Sequence, residues 1–170
     1  MVVLGVDPGV ATTGYGVVRQ DDDCIKPVAY GVIQTPPSHS LPHRLQQLYQ
    51  ELLQLVNSYH PTEASVEELF FARNASTALN VGHARGVILL ALEDAHLPTY
   101  EYTPLQVKQA ITGYGRAGKE QVQEMVRLLL GLPEIPRPDD AADALAAAIC
   151  HAHTAQVARR LAGLQPGRGS

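Results

Sequence analysis

The stretch MVVLGVDPGVATTGYGVV, residues 1–18, decides the fold because an aspartate ends its first apolar run. Residues 2–6, VVLGV, predict a buried strand, and Pro8 and Gly9 end it. Asp7 therefore lies at the end of a buried strand, where a charge without a partner is costly. The rest of the chain must supply a cationic partner for this carboxylate.

The composition is that of one globular domain. The chain has 170 residues, of which 45% are hydrophobic and 18% are charged, so it can form a sizeable core and is not typical of a disordered protein. Cys24 and Cys150 are too few for a disulfide framework, and neither a membrane-spanning run nor a signal peptide is evident. We expect a cytoplasmic protein that binds no membrane, with a single domain over residues 1–162 and a disordered tail over residues 163–170.

The charges are unevenly distributed. The formal net charge of −4 argues by itself against a polyanionic partner. Between Tyr102 and Lys119, however, the chain contains no acid but carries Lys108, Arg116 and Lys119. This window is electrostatically suited to phosphate groups.

Hydrophobic periodicity predicts a mixed sheet with helices on its faces. Three strands with short links should form an antiparallel meander, followed by helix, strand, helix, strand and then further helices. In the third helix, Thr103 is expected as the cap and Pro104 as the first residue. The order favours a central strand 1 beside strand 4, although periodicity does not prove it. The predicted strands cover residues 2–6, 14–19, 25–34, 63–67 and 98–102, and the predicted helices cover residues 41–59, 75–96, 103–113, 119–130 and 139–161.

Acidic residues lie at the ends of several of these elements. Glu67 ends the fourth strand, and Asp140 and Asp143 share one face of the last helix. If strands 1 and 4 are neighbours, Asp7 and Glu67 emerge at the same sheet edge, and the last helix can bring its acids over that edge. Converging carboxylates repel each other, whereas bound Mg²⁺ or Mn²⁺ would turn them into a two-metal site for phosphodiester hydrolysis. A metal is therefore the expected partner of Asp7.

Structural roles compete with catalytic ones at several acids. Asp139 fits the N-cap of the last helix, while Asp140 and Asp143 could simply complement the helix dipole. Glu68 should face away from Glu67, because neighbouring residues on a strand point to opposite faces.

The sequence contains no motif for zinc or for a nucleophile. His151 and His153 lie two positions apart on a predicted helix, so they do not share a face and are poor joint ligands. No CxxC, GxSxG or GxxxxGK[ST] pattern is present. The carboxylates remain the candidates for chemistry.

Four segments of the chain resemble, in order and spacing, the RuvC family of bacterial Holliday-junction resolvases, or crossover junction endodeoxyribonucleases. They are LGVDPGVATTGYGVV (4–18), SVEELFFARNASTALNVGHARG (65–86), YTPLQVKQAITGYGRAGKEQV (102–122) and DDAADALAAAICHAH (139–153). The resemblance implies an α/β, ribonuclease-H-like fold with helices on both faces of a five-stranded mixed sheet. It further implies the strand order 3-2-1-4-5, with strand 2 antiparallel to the others.

The resemblance also implies an activity. A homodimer would resolve four-way DNA junctions in recombination and repair by paired symmetric nicks, with two Mg²⁺ or Mn²⁺ ions per active site. The cuts would leave 5′-phosphate and 3′-hydroxyl ends, and the branch-migration proteins RuvA and RuvB would be partners. Helix 75–96 is the candidate dimer surface, because its small residues Ala78, Gly82 and Gly86 permit close packing.

Site residues carry over from the family by position. The metal-binding catalytic acids are Asp7, Glu67, Asp140 and Asp143, and the lysines that approach the scissile phosphate are Lys108 and Lys119. Lys119 would also be catalytic, because it offsets charge that develops on the phosphate.

Further DNA contacts are expected after Glu67. By position, Phe70 is the aromatic residue that stacks on an unpaired junction base, although Phe70 and Phe71 could both belong to the core. Arg73, Asn74 and Arg85 could contact phosphates, but a solvated face explains them equally well.

The turn after Asp7 departs from some relatives. It reads Val10-Ala11-Thr12, whereas some relatives carry a basic residue there. If that charge helps to hold DNA, this protein must use another cation.

Two functions of other kinds are weighed against the resolvase. Actin-like phosphotransferases also begin with a strand, an aspartate and a glycine-rich turn, but this chain is short for their two lobes. A junction-binding module without catalysis is disfavoured because all four acids are present. ATP hydrolysis without DNA would favour the former, and junction binding without cleavage the latter.

Overall fold

A computed structural model of the chain describes residues 1–21, 24–68 and 75–163, with the side chains of residues 75–77 and 163 excepted. Asp22 and Asp23, in the link between the second and third predicted strands, lie outside these ranges, as does nearly all of the predicted tail.

The first three strands form the antiparallel meander that their short links predict. β1 (Val2–Asp7) pairs with β2 (Thr12–Asp21), which pairs with β3 (Cys24–Gln34). β1 also pairs in parallel with β4 (Glu63–Glu67), and β4 pairs in parallel with β5 (Thr99–Tyr102). The resulting order, β3-β2-β1-β4-β5, confirms the predicted sheet and its central strand 1.

Helices cover both faces of the sheet because β1 and β2 alternate their apolar side chains between two cores. Leu4 and Val6 face a core shared with α1 and α2, whereas Val3 and Val18 face one shared with α3, α4 and α5. The helices of the described residues are α1 (Leu41–Tyr59), α2 (Ala75–Asp94), α3 (Pro104–Thr112), α4 (Lys119–Leu130) and α5 (Asp139–Gly163). None of them is both long and apolar enough to cross a membrane.

The helix ends follow local chemistry. The predicted cap of α3 is confirmed: the Thr103 hydroxyl accepts from the Gln106 N–H at 3.2 Å, and the Gln106 side chain accepts from the Thr103 N–H at 2.8 Å. The prediction for α2 was two residues too long. His96 adopts a left-handed conformation with φ 53°, and the Leu97 N–H closes the helix by donating to the Leu92 carbonyl oxygen at 3.0 Å.

Helix α5 packs directly on β1 and β2 through small residues. Its buried face is rich in alanine, including Ala144. An added Cβ at Gly5 would overlap the Ala144 carbonyl oxygen, and one at Gly14 would overlap the Asp140 carbonyl oxygen. Because Gly14 is the partner of Asp7 in the β1–β2 ladder, this close approach brings the first turn of α5 to the end of β1.

Candidate active site

Neighbouring elements place the four predicted acids at one edge of the sheet. The β1–β4 register aligns Val6 with Val66, so the next residues, Asp7 and Glu67, leave adjacent parallel strands at the same level. Asp140 and Asp143 lie in the first turns of α5, which crosses this edge over β2. The juxtaposition of Asp7 and Glu67 that the strand order predicted is therefore present.

The environment of Asp7 disfavours its charge. Burial raises the pKa of Asp7 from 3.8 to about 8, with further increases from the charges of Glu67, Asp143 and Asp140, while Lys119 opposes the change. Each of the three other acids is thus close enough to Asp7 to raise its pKa.

Glu67 and Asp143 are perturbed in the same direction. Burial and the charge of Asp143 raise the pKa of Glu67 from 4.5 to about 7, against the influence of Lys108 and Lys119. Burial also raises the pKa of Asp143, although its hydrogen bond with Lys119 acts in the opposite direction. A cation bound between these groups would remove the cost of their ionisation.

Lys119 begins α4 and reaches the acids of α5. Its Nζ lies 3.1 Å from Asp143 Oδ2 and 3.2 Å from Asp139 Oδ2. The expectation that Asp139 caps α5 was wrong, because Asp139 is itself the first helical residue. Its carboxylate pairs instead with Lys119 and with Arg137, the latter at 2.5 Å. Charge-assisted hydrogen bonds to two cations are stronger than one bond to a backbone N–H. The Asp139 carboxylate therefore pairs with the cations and does not cap the helix.

A cavity of about 180 Å³ opens beside two of the acids. Glu67 and Asp143 line it together with Lys108 and Lys119, so both predicted lysines face the same space as the carboxylates. An anion that entered this cavity would lie between ammonium groups and the acid cluster, as a phosphate held for metal-assisted attack would require.

The donor set fits a hard divalent cation. Carboxylate oxygens are the ligands that Mg²⁺ and Mn²⁺ prefer, and Asp7, Glu67 and Asp143 are all costly to ionise without one. Over the described ranges, no three carboxylate, imidazole or thiol groups form a ready-made metal cage. Unligated carboxylates at this edge repel each other, and a bound cation would remove that repulsion.

The predicted DNA contacts in the segment after β4 are not tested. Phe70, Arg73 and Asn74 lie outside the described residues. The Glu68 N–H donates to the Tyr102 carbonyl oxygen at 2.8 Å and extends the β4–β5 ladder. The expectation that Glu68 faces away from Glu67 stays a prediction.

A buried network behind the site was missed by sequence reasoning. His151 is 2% exposed, with Nδ1 2.8 Å from the Tyr102 hydroxyl and Nε2 2.5 Å from Glu63 Oε2. The Tyr100 ring stacks on it with centroids 4.4 Å apart. These contacts join α5 to β4 and β5. The sequence did contain one indication of this position: His151 follows Asp143 by eight residues, and positions i and i+8 lie on one side of a helix.

Comparisons with known proteins agree with this geometry. A family model described as "Crossover junction endodeoxyribonuclease RuvC" matches residues 3–151. The RuvC of Desulfitobacterium hafniense is 54% identical over 163 residues, which cover 96% of this chain and 99% of that protein. The RuvC of Rubrobacter xylanophilus is 59% identical over 151 residues, which cover 89% of this chain and 84% of that protein. The solved structure of Thermus thermophilus RuvC with a Holliday junction substrate is 41% identical, has a TM-score of 0.89, and covers 93% of this chain and 96% of its own.

Proposed function

Because the chain belongs to the RuvC family of crossover junction endodeoxyribonucleases, we propose that it resolves Holliday junctions by metal-dependent hydrolysis of DNA. The observation that carries the proposal is the acid cluster at the β1–β4 edge, where burial and mutual repulsion raise the pKa values of Asp7 and Glu67 and a bound cation would favour their ionised forms. The Thermus thermophilus relative, solved with a Holliday junction substrate, supports the same substrate for this chain. Membership of the family leaves no ground for the actin-like alternative.

The acids form the metal-binding part of the proposed site. Asp7, Glu67, Asp140 and Asp143 would hold two Mg²⁺ ions, for which Mn²⁺ can substitute. Ions held there would supply activation of the attacking water and stabilisation of the leaving 3′-oxygen, a chemistry that would give 5′-phosphate and 3′-hydroxyl ends. The pKa of Asp7 responds to all three other acids, so a change at this residue should disturb the whole cluster.

Lys119 supplies the proposed charge opposite the reacting phosphate. Burial disfavours its charge, but hydrogen bonds with Asp143 and Asp139 raise the pKa of Lys119 above its usual value, so it remains cationic at neutral pH. Lys108 lines the same cavity. An ammonium group held there lowers the energy of the extra negative charge that develops on the phosphate in the transition state.

Paired cuts require two such sites related by two-fold symmetry. We assign the dimer surface to α2, which exposes Leu79 and Leu90 by 63% and 55%. Three further assignments stay predictions: DNA contacts at Phe70, Arg73 and Asn74, partnership with RuvA and RuvB, and a cytoplasmic single domain over residues 1–162.

The test compares a mobile four-way junction with a linear duplex, each with Mg²⁺ or with a chelator. The proposal predicts paired nicks in opposed strands of the junction, only with Mg²⁺, and little cutting of the duplex. Equal cutting of both substrates, or junction binding without cleavage, would contradict it. In the same assay Asp7→Asn should abolish cleavage while junction binding remains measurable, and retained cutting would remove Asp7 from the mechanism.

A further inference from the structure

A second cavity, of about 550 Å³, reaches the acid cluster from its other side. Asp140 lines it, together with the turn of residues 9–12 that follows Asp7, and with Arg44 and Asn80. The cavity that holds the two lysines is lined by Glu67 and Asp143 instead. The second cavity is lined by α1 and α2, and the first by α3, α4 and α5. These two sets of helices cover opposite faces of the sheet, so the acids lie between the two cavities.

Arg44 is the cationic side chain among the described residues that line this second cavity. Its Nε donates to the Thr35 hydroxyl oxygen at 2.9 Å. That hydroxyl donates in turn to the Val10 carbonyl oxygen at 2.5 Å, and the Thr35 N–H donates to the Ala11 carbonyl oxygen at 3.1 Å. Thr35 is only 4% exposed, so a buried residue ties the guanidinium to the turn after Asp7.

The rest of the guanidinium is available to a ligand. Within the described ranges, no carboxylate forms an ion pair with Arg44. An arginine fixed through Nε still presents two terminal amino groups, and this planar arrangement suits the oxygens of a phosphate. The turn itself, Val10-Ala11-Thr12, carries no charge, so the positive charge among the described residues that line this cavity comes from Arg44.

We propose that Arg44 and the turn of residues 9–12 form a second phosphate-binding subsite. It would hold a phosphate next to the scissile one, on the opposite side of the acid cluster from Lys108 and Lys119. This inference rests on the proposed function, since it assumes that a DNA strand crosses the acids. Its role is to position the strand, so that the phosphate between the two cavities meets the metal-binding acids.

The salt dependence of junction binding tests the subsite. In a chelator, where only monovalent salt competes, each phosphate contact contributes about 0.9 to the slope of log affinity against log salt. Arg44→Gln should therefore reduce the slope by about 0.9. When the salt is raised from about 50 to about 200 mM, the variant should lose about 3.5-fold less affinity than the wild type loses. A merely structural role would weaken binding by the same factor at every salt concentration.

Arg19→Gln is the matched control. Arg19 is exposed on β2 and pairs with Val2, at the opposite end of β1 from Asp7. The inference predicts a wild-type slope for this variant. An unchanged slope in Arg44→Gln, or an equal reduction in both variants, would overturn it.

Modified DNA provides a second test if Arg44→Gln fails to fold, as judged by circular dichroism. Neutral methylphosphonate linkages are introduced one at a time on either side of the cleaved bond, and binding is measured with the wild type and with Arg44→Lys. At one fixed salt concentration, one linkage should weaken junction binding by the wild type by a larger factor than binding by Arg44→Lys, because an ammonium group cannot make the bidentate contact of the planar guanidinium. If no flanking linkage affects the wild type, or if both proteins respond equally, the subsite does not exist.

Cleavage by the wild-type protein with Mg²⁺ is measured in parallel. Absence of junction cleavage contradicts the proposed function itself. Normal cleavage combined with an unchanged salt slope in Arg44→Gln contradicts the subsite alone.

Discussion

Replacing Asp7 with asparagine should stabilise the metal-free protein while it removes a catalytic carboxylate. Burial and the neighbouring acids raise the pKa of Asp7 from 3.8 to about 8 in the folded protein. The folded state therefore binds this proton more tightly than the unfolded state, and the carboxyl group costs stability as pH rises from about 3.8 to about 8. Above about pH 8 the full cost is present, and an amide at this position avoids it.

The size of this change in stability follows from the shift in the pKa of Asp7. Each pKa unit corresponds to about 1.4 kcal/mol, so the interval from pH 5 to pH 8 allows a change of up to about 4 kcal/mol. Burying the amide has its own cost, about 1–3 kcal/mol, but that cost does not vary with pH in this range. We therefore expect the stability of Asp7→Asn relative to the wild type to increase by about 2–4 kcal/mol between pH 5 and pH 8.

Urea unfolding in a chelator at these two pH values measures the difference. Asp21→Asn is the control, because Asp21 lies at the far end of β2 from Gly14, the partner of Asp7, and its relative stability should not follow this trend. Added Mg²⁺ should then stabilise the wild type more than Asp7→Asn, since only a ligand that binds the folded state stabilises it. If Asp7→Asn gains no stability relative to the wild type between pH 5 and pH 8, the crowding of these acids has been overestimated.

Three other substitutions test separate parts of the account. Gly14→Ala places a Cβ against the Asp140 carbonyl oxygen, so it should destabilise the protein by about 1–3 kcal/mol and reduce cleavage; unchanged thermal unfolding would contradict the close approach of α5. Lys119→Gln should lower kcat for the junction about 10²-fold with little change in binding, and a loss confined to binding would argue against a role in the transition state. His151→Phe removes the imidazole partner of Tyr102 and Glu63, although Arg159 still pairs with Glu63 at 2.8 Å, so it should cost about 1–2 kcal/mol in urea unfolding; a cost below about 0.5 kcal/mol would show that the network contributes little.

The sequence was most informative where local chemistry coincides with the sheet topology. The apolar run before Asp7 predicted a buried strand, and the short links after it predicted the antiparallel meander. Thr103 and Pro104 marked the start of α3 through capping rules that need no tertiary contact. The juxtaposition of Asp7 and Glu67 followed because parallel neighbouring strands end at the same edge.

Contacts between distant segments were not predictable in this way. Asp139 looked like a helix cap because its neighbours favour one, but Lys119, from a separate helix, competes for its carboxylate. The link from Arg44 through Thr35 to the turn after Asp7 likewise joins segments that meet only in the folded protein. The spacing of His151 from Asp143 could place it on one side of the helix, but its partners come from β4 and β5 and were not predictable.

The central claim is that the acids at the β1–β4 edge bind two divalent cations. Crystals grown or soaked with Mn²⁺ allow the ions to be located by anomalous scattering. The account predicts two peaks about 3.5–4 Å apart, each within about 2.5 Å of carboxylate oxygens from Asp7, Glu67, Asp140 or Asp143. Mn²⁺ bound elsewhere, with those four carboxylates free of metal at saturating concentration, would contradict it.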